Sequence, residues 1–315
     1  MNSSKSIVQH PLSLTALALL CCGLWGSAFP AVKIGYTLFQ IETPGSQILF
    51  AGYRFFLAGV LTLLLGSLLE RRILTIRLSS LPAVFGQGLL QTTAQYTCFY
   101  LGLANTTGSK GSIINASSTF FAILAAHFML QNEKLTTRKG VGCLVGFLGV
   151  LLIHLTPGNL DHSFVWNGEG LVLLCSITYG VSSVTLKSIS KREGPTAITA
   201  YQFLFGGAIL ILIGLCSGGK IAGFTLQSTA LLGYLSLLST VAFSIWAILL
   251  KYNSVGRVAI FGFSIPVFGV CFSTLFLHEQ AITIQTLAAL LLVSVGILIV
   301  NLSPTHTTKS TSHPS

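Results

Sequence analysis

One apolar stretch of this sequence carries three glutamine side chains at helical spacing. Gln87, Gln91 and Gln95 occupy positions i, i+4 and i+8, which places their amides along one face of an α-helix. An amide among apolar groups is costly unless it has a partner or faces water. The amides either bond between packed helices or line a path for a polar solute. Three amides in register exceed what packing needs, so we favour the path, with Gln87 as the weakest member of the row.

Large aromatic residues occur well inside other apolar stretches. Trp25 and Tyr179 lie away from the ends of theirs, whereas membrane interfaces are where such residues concentrate. Tyr96 lies beside the glutamines, and Phe243 and Trp246 occupy matching places in a later stretch. A cavity walled by aromatic rings and a few amides suits a flat or amphipathic organic solute. Core packing is the alternative explanation for any single ring.

Small polar residues complete the predicted binding set. Asn115 and Ser118 share one helical face, and Ser264 occupies the place in the second half of the chain that corresponds to Ser118. We include Ser183, one helical turn after Tyr179. These side chains would face each other across a central cavity. The alternative is strong, since serines in membrane helices commonly pack or bond back to their own helix.

Arg54 is the charged residue within an apolar stretch. It lies about eight residues deep, roughly 12 Å at the rise of an α-helix. Its long stem would let the guanidinium snorkel toward the nearer interface. A charge at this depth would alternatively pair with carbonyls or gate the mouth of a path.

The acidic residues all fall at the ends of apolar stretches or between them. They are Glu42, Glu70, Glu133, Asp161, Glu169, Glu193 and Glu279. A carrier driven by protons usually needs a carboxylate at depth. The sequence therefore favours facilitated diffusion or solute exchange over proton antiport.

Composition shows which environment must position these residues. The chain has 315 residues, of which 52% are hydrophobic and 8% are charged. A soluble domain carries roughly 25% charged residues. Apolar runs near the roughly 20 residues that a helix needs to cross a bilayer recur along the chain. They predict ten spans, at 13–35, 46–69, 80–103, 110–131, 139–156, 168–188, 196–217, 228–250, 257–278 and 281–302.

The basic residues predict the orientation of these spans. With the N-terminus inside, thirteen of the 17 Lys and Arg residues fall in connectors or tails on the inner side. Lys33, Lys110 and Lys220 fall on the outer side, and Arg54 lies within a span. Cytoplasmic loops hold the excess of Lys and Arg. Both termini are therefore predicted to be cytoplasmic, in a multi-pass protein of the plasma or inner membrane.

The chain also repeats itself. Residues 149–157 match residues 296–304 at an offset of 147. Trp25 corresponds to Tyr179 at an offset of 154, and Tyr53 to Tyr201 at 148. Five spans per copy is an odd number, so the second copy must enter the membrane upside down. Inverted repeats of this kind are typical of transporters, with the substrate site between the halves.

The sequence gives little support to other classes of protein. The seven cysteines lack the spacing of metal ligands, so we predict no metal and no cofactor. No P-loop, H-E-x-x-H or nucleophile elbow occurs, so we predict no enzyme. The basic residues do not cluster as nucleic-acid binding requires. Gly142 and Gly146 form a G-x-x-x-G pair that suits either a homodimer face or internal packing, and we favour internal packing.

At this point the sequence resembles the EamA-like branch of the drug/metabolite transporter superfamily. The resemblance covers about residues 13–302 and rests on Trp25–Gly26–Ser27, Arg54–Phe55, Glu133, the glycine-rich fifth span and Pro266 with Glu279. Phe120 departs from it, since it stands where the ninth span has Pro266. The resemblance implies a helical carrier of small organic solutes, often amino acids, with a central cavity lined by spans one, three, four, six, eight and nine.

We therefore predict an all-α membrane protein with two inverted five-helix repeats at 13–156 and 168–302. Residues 1–12 would be a cytoplasmic segment, 157–167 an external linker and 303–315 a disordered cytoplasmic tail. Its predicted partners are the lipid bilayer and a small polar metabolite, with an amino acid or derivative favoured, moved by alternating access. The alternatives are a carrier of nucleotide sugars or other metabolites, and a membrane scaffold that transports nothing.

Overall fold

The computed structural model describes residues 9–130, 135–152, 164–253, 258 and 260–301. Every regular element in these ranges is helical. The predicted tail, residues 157–163 of the predicted linker and Glu133 lie outside the described residues.

Twelve α-helices are described, and two π-helical segments continue directly into α-helices. In chain order the α-helices are α1 Pro11–Leu38, α2 Pro44–Glu70, α3 Leu81–Gln87, α4 Gln95–Ala104, α5 Gly108–Asn115, α6 Ser118–Met129, α7 Thr137–Leu152, α8 Leu171–Ile189, α9 Pro195–Cys216, α10 Leu226–Tyr252, α11 Ser264–Leu277 and α12 Ile284–Asn301. The π segment Gly88–Ala94 joins α3 to α4, and the π segment Trp166–Gly170 leads into α8.

Local sequence explains where several helices begin. Proline occupies the first position of α1, α2 and α9, where its missing N–H is not needed and its fixed φ suits a helix. Thr43 accepts a hydrogen bond from the backbone N of Ser46 at the start of α2. Thr225 and Ser228 form a capping box at the start of α10.

The described helices include six stretches that are long and apolar enough to cross a membrane. They are Pro11–Leu38, Pro44–Glu70, Gly108–Met129, Trp166–Ile189, Pro195–Cys216 and Leu226–Leu249. Two shorter apolar helices follow, Phe261–Leu277 and Ile284–Val300. The prediction of an all-α membrane protein is therefore confirmed, whereas the count of ten spans stays a prediction.

Glycines bring two pairs of helices into backbone contact. α2 packs along α9, and α7 packs along α12. A methyl group on Gly59 would stand 2.7 Å from the backbone N of Leu204, and one on Gly214 would stand 2.7 Å from that of Leu49. We call this contact between α2 and α9 the glycine seam. Small residues allow this approach because no side chain separates the two backbones.

The glycine pair of the fifth predicted span packs inside the chain. A methyl group on Gly142 would stand 2.8 Å from the carbonyl O of Gly296 in α12. The ring of Phe120 lies against Gly146. Both glycines of the G-x-x-x-G pair therefore contact other helices of the same chain.

The remaining contacts bring the predicted site into the centre of the bundle. α1 packs against α10 and α11, while α8 packs against α4 and α6. The π segment Gly88–Ala94 packs against α9, and α10 packs against α2. The polar and aromatic residues singled out from the sequence lie on these elements.

Candidate functional site

The three glutamines extend across a π-helical segment: Gln87 precedes it, Gln91 lies within it and Gln95 follows it. The amide N of Gln87 donates to the amide O of Gln91 at 2.6 Å and to the carbonyl O of Ser182 at 3.1 Å. The hydroxyl of Thr185 donates to the amide O of Gln87. Gln87 therefore ties the third predicted span to α8, while Gln91 bonds to Gln87 within that span. Gln87, ranked weakest from the sequence, has the most hydrogen bonds of the three glutamines and fits the interhelical interpretation.

Gln95 differs from the other two glutamines. Its side chain is 6% exposed. Its Oε1 atom is buried and has no hydrogen-bond partner among the described residues. An unpaired carbonyl oxygen in a protein interior costs about 1–3 kcal/mol. Since most buried polar groups are bonded, this atom marks a place where a donor from water or a solute fits.

Three of the predicted aromatic residues form one cluster between α1 and α10. The ring of Trp25 lies 5.4 Å from that of Phe243 and 5.0 Å from that of Trp246, both edge to face. The Nε1 donor of Trp25 is buried, and the described part of the chain supplies no acceptor for it. The aromatic cluster thus contains one unused polar atom that faces inward.

Tyr179 and Ser183 give a plainer result. The hydroxyl of Ser183 donates to the carbonyl O of Tyr179 in the same helix at 2.8 Å. This is the back-bonding that serines often make in membrane helices. Tyr179 is on α8, which packs against α4, the helix that carries Tyr96. Tyr179 therefore lies near the central residues, while the hydroxyl of Ser183 is occupied within α8.

Asn115, Ser118 and Ser264 lie at two interruptions in the helices. α5 ends at Asn115 and α6 begins at Ser118, while α11 begins at Ser264 after a 3-10 turn, Ile260–Phe263. Asn115 accepts a long hydrogen bond of 3.8 Å from the thiol of Cys175. Thr119 lies beside Gly262, so the two interruptions adjoin. Among the described contacts, however, no hydrogen bond joins Ser118 to Ser264.

Ser117 was missed in the sequence. It lies in the interruption between α5 and α6, is fully buried, and its hydroxyl has no partner within the described ranges. The spacing rule that selected Asn115 and Ser118 passes over it because Ser117 falls on another face of a regular helix. The interruption, which spacing does not reveal, turns it inward.

The predicted snorkelling of Arg54 is wrong. Its side chain is 2% exposed. Its Nε donates to the hydroxyl of Ser239 at 3.1 Å and its Nη1 to the hydroxyl of Tyr100 at 3.2 Å. The guanidinium lies 4.8 Å from the ring centre of Phe55 and 5.9 Å from that of Tyr96. Because α2 packs against α4, α9 and α10, this face of the helix points into the bundle. We call the following five residues the Arg54 cluster: Arg54, Phe55, Tyr96, Tyr100 and Ser239.

A second polar region, at one end of the bundle, was also missed. The Nζ of Lys33 donates to the carbonyl O atoms of Leu103 at 3.1 Å and Thr106 at 2.6 Å. Lys33 was assigned from the sequence to the outer end of the first predicted span, and it lies inside α1. Its ammonium group instead closes the end of α4, where carbonyl groups lack helical partners.

Two carboxylates complete this region. Glu279 accepts hydrogen bonds from the backbone N of Gly108 at 2.7 Å and from the N and hydroxyl of Ser109 at 3.0 and 2.6 Å. Glu169, 2% exposed, accepts from the hydroxyl of Thr106 at 2.8 Å and lies 3.7 Å from the ammonium of Lys110. We call Lys33, Thr106, Ser109, Lys110, Glu169 and Glu279 the end network.

The described residues offer no other obvious chemistry. No group of three His, Cys, Asp or Glu side chains within them could hold a metal ion. All seven cysteines are free thiols. The arrangement presents hydrogen-bonding atoms, aromatic rings and one guanidinium, which suit binding of a solute.

Several relatives are named as transporters. The chain is 27% identical to the uncharacterised transporter YoaV of Bacillus subtilis (strain 168) over 277 residues, 87% of this chain and 91% of the relative. It is 24% identical to the uncharacterised inner membrane transporter YedA of Escherichia coli (strain K12) over 286 residues, 88% and 87% of the two chains. A WAT1-related protein of Arabidopsis thaliana, At3g02690, chloroplastic, is 25% identical over 206 residues, 61% of this chain and 49% of its own.

A solved crystal structure has the same fold. It matches with a TM-score of 0.67 at 19% identity and covers 92% of this chain and 98% of its own. The model of the EamA-like transporter family matches residues 13–155 and 166–302. These two stretches include most of the chain and all the residues of the predicted site. This chain is therefore a membrane protein that belongs to the EamA-like transporter family.

Proposed function

We propose that this protein is a carrier that moves a small polar organic metabolite by alternating access, as a facilitator or exchanger. An amino acid or a derivative is the favoured solute. Eight buried polar side-chain atoms of the described residues have no hydrogen-bond partner. The observation that supports the proposal most is that three of them, Trp25 Nε1, Gln95 Oε1 and Ser117 Oγ, belong to the predicted site or adjoin it. They come from α1, α4 and the interruption between α5 and α6, and aromatic rings lie beside them.

A scaffold would gain nothing from these atoms. Interhelical hydrogen bonds that stabilise a bundle must be made, as Gln87 makes its bonds to Ser182 and Thr185 of α8. A carrier, in contrast, needs groups that bond to a solute and release it. Donors and acceptors left unused by the protein, beside apolar and aromatic walls, are the usual composition of a small-molecule site.

The packing supports two inverted repeats of five spans. The offset of 147 that relates Gly149 to Gly296 also relates Gly142 to Ala289. Gly142 meets the carbonyl of Gly296, and Gly149 meets the carbonyl of Ala289, each at 2.8 Å from a methyl group placed on the glycine. One contact is therefore the image of the other. The two matched stretches of the family model point the same way.

The charges favour a carrier that is not driven by protons. Glu70 and Glu193 pair with Arg72 and Arg77, and Glu42 is exposed. Glu169 and Glu279 belong to the end network and already accept hydrogen bonds. Glu133 and Asp161 lie outside the described residues. Location in the plasma or inner membrane with both termini in the cytoplasm remains part of this proposal, on the strength of the Lys and Arg distribution.

Counterflow in proteoliposomes tests the proposal. Vesicles are loaded with a mixed pool of amino acids, nucleosides, sugars and nucleotide sugars, and labelled solute outside is followed into the lumen. We expect wild type to accumulate one class, and Gln95→Ala to reduce that accumulation about tenfold or more. Gln227→Ala, an exposed amide at the start of α10, is the matched control.

Each of the other possible outcomes would change the proposal in a different way. Accumulation of nucleotide sugars alone would select that alternative. No accumulation from a broad pool, with protein correctly inserted, would favour the scaffold. Accumulation that Gln95→Ala leaves unchanged would keep the carrier and remove Gln95 from its site.

A further inference from the structure

We infer that Arg54 binds the carboxylate of the transported solute. The inference rests on the proposed carrier function and names its substrate class: small solutes that carry one carboxylate, such as amino acids and other monocarboxylic acids. Arg54 thereby changes from a snorkelling or gating residue into one that determines specificity.

The first observation is the depth of the charge. Arg54 is ten residues after the start of α2, or about 15 Å along the helix axis. Its side chain is almost fully buried. A guanidinium remains charged at any pH that a protein tolerates, so burial cannot be relieved by loss of a proton. The charge must be compensated by its surroundings.

The second observation is that its neighbours are neutral. The hydrogen-bond partners of Arg54 are the hydroxyls of Ser239 and Tyr100. The rings of Phe55 and Tyr96 add cation–π attraction. In the part of the chain that the structure describes, no carboxylate forms an ion pair with Arg54. The Arg54 cluster therefore holds a net positive charge inside a membrane protein.

The third observation is the set of donors left over. A guanidinium has five N–H donors in a fixed fork. Nε and one N–H of Nη1 are occupied, which leaves donors on both Nη atoms. A carboxylate fits that edge with two parallel hydrogen bonds. A single carboxylate would also bring the cluster to electrical neutrality.

The fourth observation connects Arg54 to the predicted site. Tyr96 is itself a residue of the predicted site, and its ring lies 5.9 Å from the guanidinium. Gln95 precedes it in α4. The unpaired Oε1 of Gln95 accepts hydrogen bonds and so suits an N–H of the solute. Trp25 and its cluster supply apolar walls and one donor. Together these groups suit a solute with a carboxylate at one end and an amino or amide N–H nearby.

A phosphate ester fits less well. It carries up to two charges and would leave the interior negative beside a single guanidinium. Two other cations on the described helices, Lys33 and Lys110, are engaged in the end network with carbonyls and with Glu169. The charge of the cluster therefore favours a carboxylate.

The test compares matched pairs of solutes. Counterflow is measured with labelled amino acids and with their carboxamides, which keep the shape and lose the charge, and with a phosphate ester as a third arm. The proteins are wild type, Arg54→Gln, Arg54→Lys and, as a control, Ser239→Ala, which removes one tie of Arg54 and keeps its charge. Binding is measured in parallel as the shift in melting temperature of purified protein with each solute.

We expect wild type to prefer the carboxylate member of a pair. Removing one partner of a buried, hydrogen-bonded charge pair should lower transport of that member about thirtyfold or more in Arg54→Gln. Transport of the carboxamide should change less than threefold. Arg54→Lys should retain part of the preference, because it keeps the charge and loses the fork.

Three results would overturn the inference. In the first, wild type treats carboxylate and carboxamide alike, which needs no variant and so does not depend on the folding of Arg54→Gln. In the second, Arg54→Gln loses both members equally, as a purely structural tie would. In the third, phosphate esters are preferred. If vesicles show no transport while carboxylates raise the melting temperature of wild type and not of Arg54→Gln, the inference stands and the carrier proposal fails.

Discussion

The end network and the Arg54 cluster treat buried charge in opposite ways. The end network sets Lys33 and Lys110 beside Glu169 and Glu279, and its carboxylates accept hydrogen bonds from helix starts and hydroxyls. The Arg54 cluster holds one cation among hydroxyls and rings. Near it lie polar atoms without partners. Stability explains the first region. The second keeps groups that the protein itself does not use, which is what a binding site requires.

The largest effect on stability should come from a substitution in the end network. Glu279→Ala removes the acceptor for two backbone N–H groups and the hydroxyl of Ser109. We expect the free energy of unfolding to fall by about 3 kcal/mol, seen as a lower melting temperature of the purified protein in detergent. Glu42→Ala, at an exposed carboxylate, is the control. A melting temperature that falls no further than the control would show that the end network contributes little.

A medium effect should separate two glutamines of one row. Gln87→Leu leaves the amide oxygen of Gln91 without its donor, breaks the bond to Ser182 and removes one acceptor of the Thr185 hydroxyl, and should cost about 2 kcal/mol. Gln95→Leu removes a buried oxygen that has no partner among the described residues, so it should not lower the free energy of unfolding. Counterflow should show the reverse order, with Gln95→Leu the more impaired per folded molecule. Equal losses of stability would mean that Gln95 is also interhelical.

The smallest expected effect is on KM, and it tests a single unpaired atom, Nε1 of Trp25. Trp25→Phe keeps a ring against Phe243 and Trp246 and deletes the unpaired Nε1. One hydrogen bond to a solute is worth about 1 kcal/mol, so KM should rise about fivefold with little change in melting temperature. Trp166→Phe, at an exposed tryptophan, should alter neither. An unchanged KM in Trp25→Phe would assign Trp25 to packing alone.

Sequence reasoning reached the membrane fold and the family. Composition and apolar spacing carry that information because a bilayer restricts the chain to a few regular structures. The sequence did not predict that Gln87 and Gln95 would differ in their hydrogen bonding. A π segment changes the number of residues per turn, so side chains that a regular helix aligns no longer share one role.

The sequence also did not predict which residues far apart in the chain would contact each other. Glu279 bonds to Gly108 across 171 positions, and Arg54 to Ser239 across 185. No local pattern states which face of α2 meets α10, so the depth of Arg54 was predictable and its direction was not. The five acidic residues in the described ranges lie at the ends of helical segments or between them, as predicted. Burial of Glu169 depends on what packs over that end.

The glycine seam has a consequence for how this chain tolerates change. At Gly59 and Gly214 the neighbouring helix presents backbone atoms, which cannot rotate aside as a side chain can. A single added carbon there must push two whole helices apart. In a mutational scan these positions would rank with the core of the protein, although glycine offers no functional group that would draw attention to them. Residues that look like filler in such a membrane sequence can therefore be among its least replaceable.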